Sequence, residues 1–122
     1  MSELTQDQQL QQLEISLEEA QREVARATAL KKLENNQYFK ELLLDDYLGS
    51  NATRLVKLKA SMPMQTPEHQ TNICQQIDAI GQLNQWFLYI AQTGELAEKA
   101  IEDYEQAKVD ILSDQAEDNT VH

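Results

Sequence analysis

Residues 73–111 read ICQQIDAIGQLNQWFLYIAQTGELAEKAIEDYEQAKVDI, and within them Ile73, Ile77, Ile80, Phe87, Ala91, Ala97, Ile101, Tyr104 and Ile111 recur at steps of three, four and sums of these. That spacing keeps one side of an α-helix apolar over many turns, and a long apolar side has to be covered by a partner. Working back, Thr66 as N-cap, Pro67 at the first helical position and Glu68 in the first turn mark a helix start. The pattern predicts a helix over 67–112, with Thr93-Gly94 as its interruption. Gly81 and Gly94 fall beside or on the stripe, where a missing side chain lets a second helix come close.

Upstream, Leu10, Leu17 and Val24 repeat every seven residues, with Leu13, Ala20 and Ala27 three places later. These form a heptad seam of about three repeats inside a first helix over 5–34. Beyond Ala27 the phase shifts to Leu30 and Leu33. Asn35-Asn36 breaks the chain, because Asn favours caps and turns over helix interiors. A second helix over 37–48 would bury Phe39, Leu42, Leu43, Leu44 and Tyr47, with Gly49 as its C-terminal cap. A third over 52–61 would turn Leu55, Val56 and Leu58 inward. The prolines of Met62-Pro63-Met64-Gln65-Thr66-Pro67 mark a linker, and 113–122, acidic and without core formers except Val121, read as a disordered tail.

The expected architecture is all-α: a helical hairpin or bundle in one domain over 1–112, with long N- and C-terminal helices and two short connecting helices. Only three Gly and two Pro in 122 residues leave little of the turn chemistry that β-sandwiches need. A net charge of −11 argues against wrapping nucleic acid or docking on an anionic membrane. The charge is uneven. Residues 22–59 carry eight basic against five acidic side chains, whereas 95–118 carry nine acids against Lys99 and Lys108. The N-terminal Met-Ser-Glu-Leu-Thr-Gln has neither a basic nor an apolar signal region, and no run of about 18 apolar residues occurs, so a cytoplasmic protein is expected.

Little in the chain carries reaction chemistry. Cys74 is a lone thiol beside Ile73 and Ile77, which reads as a small buried hydrophobe. His69 and His122 lie at no metal spacing from it or from each other, and no Glu-x-x-His pair, nucleophile triad or phosphate loop is present. The expectation is therefore a non-enzymatic chain without cofactor or metal. Glu95, Glu98, Glu102 and Glu105 share one helical face, which is a solvated face, a divalent-cation site or an imitation of a nucleic-acid backbone. Arg54, Lys57 and Lys59 form a basic patch between inward leucines. Trp86 and Tyr89, three apart, flank the stripe as the edge of a wide core or as interface anchors. With Ile73, Ile77, Ile80, Phe87, Gly94, Ile101 and Tyr104 they make up the expected interface of a homo-oligomer.

The block Asn36-Gln37-Tyr38-Phe39-Lys40-Glu41-Leu42-Leu43-Leu44-Asp45-Asp46-Tyr47, with Ala52-Thr53-Arg54-Leu55-Val56, Met64-Gln65-Thr66-Pro67-Glu68, Ile77-Asp78-Ala79-Ile80-Gly81-Gln82-Leu83 and Trp86-Phe87, resembles small acidic helical proteins of tailed bacteriophages. The resemblance covers residues 35–105 and consists of packing motifs. It implies a scaffold-like or minor virion protein in the host cytoplasm or the virion, partnered by itself, by another phage structural protein or by a host protein. The rival expectation is a phage-encoded inhibitor of a host nuclease or defence protein that presents the glutamate row in place of DNA phosphates.

Overall fold

The computed structural model describes residues 4–120, with the side chains of 115 and 117–120 left aside. In chain order it contains α1 (Gln6–Glu34), α2 (Gln37–Phe39), a π-helix (Lys40–Ser50), α3 (Asn51–Ala60), a 3-10 turn (Met62–Met64) and α4 (Pro67–Thr120). The described residues contain no strand, so the chain is all-α with long first and last helices. Two compact units can be distinguished in it: α1 through Thr28 with α4 from Gln92 onward, and the segment Ala29–Ala91.

In the first of these units α1 and α4 run antiparallel. Glu14 faces Lys108 at 3.9 Å, the Arg26 guanidinium donates to Thr93 Oγ1 at 3.2 Å, and a Cβ built on Gly94 would collide with that of Ala27. Each pair sums to nearly the same residue number, as an antiparallel register requires. The seam is made of small residues: Ala20 and Ala97 are buried, and Gly94 lies on the buried row itself. Small side chains let two helix backbones approach closely and gain dispersion contacts along their length. Gly94 therefore does not interrupt α4, which passes through it as regular helix. The helix also continues past residue 112 to Thr120, so 113–120 are helical backbone where a disordered tail was expected. The last two residues of that expected tail, including Val121, lie outside the described residues.

The second unit is built around Leu55, which is fully buried, with Ile73 and Ile80. Tyr47, Leu48, Ala52, Leu58, Met64 and Ile77 pack against these three. The Asn36 side chain caps α2 by accepting from the Tyr38 and Phe39 amides at 3.0 and 3.1 Å. From there the backbone stays helical to Ala60, and the expected stop at Gly49 does not occur, since no residue there has a positive φ. Lys40–Ser50 instead closes i→i+5 bonds, the last from Asn51 N–H to Asp46 O. Leu43-Leu44 and Tyr47-Leu48 are half-buried along it, as are Asn51-Ala52 at the start of α3. Leu42, expected inside, is 65% exposed beside that half-buried pair, and Val56, also expected inside, is 61% exposed because its neighbour Leu55 takes the core position.

Two glutamines fasten the proline-containing connection. Gln70 Nε2 donates to the carbonyls of Lys59 and Met64 at 2.9 and 2.8 Å, and Gln65 Nε2 to those of Lys59 and Ser61 at 3.0 and 2.7 Å. They satisfy carbonyls that the end of α3 would otherwise leave open. Thr66 then caps α4 by accepting from His69 N–H at 3.2 Å, as the sequence pattern predicts.

Along α4 the covered row is Ile73, Ile77, Ile80, Phe87, Ile90, Gly94, Ala97, Ile101, Tyr104 and Ile111. Ala91 is exposed and Ile90, only 2% exposed, takes its place. Gly81 meets nothing within 4 Å, so no helix approaches it.

Gly94→Leu should lower the melting temperature although leucine is the better helix former by up to about 1 kcal/mol. Overpacking costs about 1–3 kcal/mol, or roughly 3–10 °C for a chain of this size. A raised melting temperature in calorimetry would show that the Ala27 crossing relaxes freely. In urea titrations Leu42→Ser should stay within about 0.5 kcal/mol of the parent. Leu55→Ala should lose about 2–5 kcal/mol. Equal losses would contradict the π-helical register.

Candidate functional site

Most residues expected at an interface are already used inside the fold. Ile73 and Ile80 belong to the Leu55 core, and Ile77 packs against it. Gly94 is buried against Ala27, and Ile101 is half-buried. Tyr104 lines a shallow cleft of 170 Å³ with Ser16, Ala20, Ala97 and Ala100. Phe87 meets Phe39 edge to face, with ring centroids 5.9 Å apart. Of these seven, Ile73, Ile77, Ile80, Phe87 and Gly94 pack inside the single chain, and Ile101 and Tyr104 are half-buried.

Trp86 and Tyr89 remain on the surface, 52% and 53% exposed, so they are not the edge of a closed core. Phe87 supports the indole from one side, with centroids 5.8 Å apart and planes tilted by 40°. A ring braced in this way loses little rotamer freedom when it is covered. Sequence reasoning missed four further exposed apolar side chains on α4: Leu88, Leu96, Val109 and Leu112. Their signal was present as apolar residues off the main stripe.

The charged candidates are all at the surface. Glu95, Glu98, Glu102 and Glu105 are exposed along α4, and further along the helix Lys108 pairs with Glu14. Arg54 and Lys57 line an open groove of about 720 Å³ along α3 with Ser50, Thr53, Leu58 and Ser61. Lys59 is not part of that lining, since two residues on from Lys57 is about 200° around a helix. The expected patch of three cations is thus a pair, with Lys59 on another side. Asn51 Oδ1 holds the Arg54 guanidinium by accepting from Nε at 3.3 Å and Nη2 at 2.9 Å.

Among the described residues no three His, Cys, Asp or Glu side chains stand together as a metal site, and Cys74 is half-buried. Nor is any described helix long and apolar enough to cross a membrane. No protein-family model, curated protein or solved structure matches this chain.

Because Trp86 is the sole tryptophan, its fluorescence reports on this surface alone. Acrylamide should quench it in dilute native protein with at least half the efficiency seen in the urea-unfolded chain. A native emission shielded several-fold at the lowest concentration would show that the indole is covered in the single chain.

Proposed function

We propose that this protein is a non-enzymatic helical association module, acting in phage particle assembly as a scaffold-like or minor virion component. The observation that carries association is the pair of half-exposed rings at Trp86 and Tyr89, with Leu96, Val109 and Leu112 exposed further along the same helix. Covering the exposed halves of the two rings removes about 200 Å² from water, or roughly 5 kcal/mol at 25 cal/mol per Å². That is the same order as the cost of bringing two molecules together, about 4–15 kcal/mol. Such a surface gives weak, concentration-dependent contacts, which suit a component that must assemble and reorganise. The phage setting rests on the packing motifs of residues 35–105 and on nothing in the geometry.

The exposed glutamate row favours the rival reading, an inhibitor that imitates DNA. Its charge density counts against it. Four carboxylates over about 15 Å of helix give one charge per 4 Å or so, whereas duplex DNA carries one per about 1.7 Å.

Light scattering from micromolar to several hundred micromolar should show a mass rising above 14.0 kDa. Trp86→Ala and Tyr89→Ala together should weaken that association at least tenfold while leaving helicity unchanged. A constant monomer mass throughout would overturn the association reading.

A further inference from the structure

We infer that the α3 groove is a docking site for the glutamate row on α4 of a second copy of this chain. The inference rests on the association reading and names a polar contact within it. The groove has a positive centre: Arg54 and Lys57 lie one helical turn apart and neither forms an ion pair among the described residues. Its hydroxyls are turned back on their own helix, Thr53 Oγ1 donating to Gly49 O at 3.3 Å, Ser50 Oγ to Asp46 Oδ1 at 3.0 Å and Ser61 Oγ to Leu58 O at 2.9 Å. The two cations are therefore the groups with capacity for an incoming acid. Asn51 pre-sets one of them by its two bonds to Arg54 and leaves the Nη1 edge of the guanidinium open, so little side-chain freedom is lost on docking.

The row is opposite to the groove in sign and matches it in length. From Ser50 to Ser61 the groove spans about 16 Å, and from Glu95 to Glu105 the row spans about 15 Å, at 1.5 Å per residue. Glu98 and Glu102, four residues apart, can meet Arg54 and Lys57, three apart. Val109 and Leu112 continue the row with apolar surface, 55% and 46% exposed, and Leu58 lines the groove. A polyanion such as DNA is the weaker occupant. Two cations neutralise only two phosphates, and a net charge of −11 repels the rest of the strand. A second copy carries its negative charge concentrated in 95–118 and brings a net positive 22–59 segment with it. Opposite segments attract, and the contact places groove on row, so the interface joins unlike surfaces.

Two charge-reversed variants test this on the full chain: R54E/K57E, and E98K/E102K. Sedimentation at low salt should show each alone associating at least tenfold more weakly than the parent, because groove and row then carry the same sign. Mixed in equal amounts they should recover association, since each variant's groove faces the other's row with opposite charge, and 0.5 M salt should weaken the recovered complex. Circular dichroism confirms that both variants remain helical, and recovery on mixing is itself a property that misfolded chains would not show. A parent that associates while both variants associate equally well would overturn the docking site and leave association through the aromatic surface standing. A parent that stays monomeric at every concentration would overturn both. Capture of a short DNA duplex by the parent, lost in R54E/K57E, would overturn the second copy as occupant in favour of a polyanion.

Discussion

The close approach of two helices at residues without side-chain bulk is the constraint on which the first unit depends. Gly94 has no Cβ, and the space a Cβ would fill is taken by Ala27. Ala20 and Ala97 continue the same seam as buried residues. Leu17 and Val24 of α1 and Ile101 and Ile111 of α4 are half-buried in the same unit, and backbone proximity adds dispersion contacts over the length of the seam. Leu96 and Val109 lie off the covered row and stay exposed.

The second unit solves the same problem in the opposite way. A large residue, Leu55, is enclosed by Ile73 and Ile80, and the π-helix of Lys40–Ser50 brings doublets of half-buried side chains to that centre. A π-turn has poorer intrinsic geometry than an α-turn and persists where packing favours it. Here Tyr47 and Leu48 of the π-helix pack against the Leu55 centre, while Leu42 stands in solvent.

Both units use their inward residues for internal packing, so the surfaces left for function are those off the main stripe. They are of two kinds, a pair of braced aromatic rings and two runs of opposite charge on α3 and α4. In protein association generally, charge complementarity governs which surfaces meet and how fast more than how tightly they hold.

Secondary structure is legible from spacing because periodicity is a local property: the all-α class, the break at Asn35-Asn36 and the Thr66 cap all follow from residues a few places apart. The burial of Ile73, Ile80, Ala20 and Ala97 is legible for the same reason. What only the tertiary structure decided is which residues the partners cover. Gly94 reads both as an interruption and as a point of close approach, and contact with Ala27 decides for the second. Leu42 reads as buried on an α-helical period, and the core selects a π-helical one. Trp86 and Tyr89 read equally as core edge or anchor, and only the position of the neighbouring elements leaves them exposed. Spacing specifies which side of a helix is apolar; how far the cover extends depends on residues distant in sequence, and that information exists only once the helices have met.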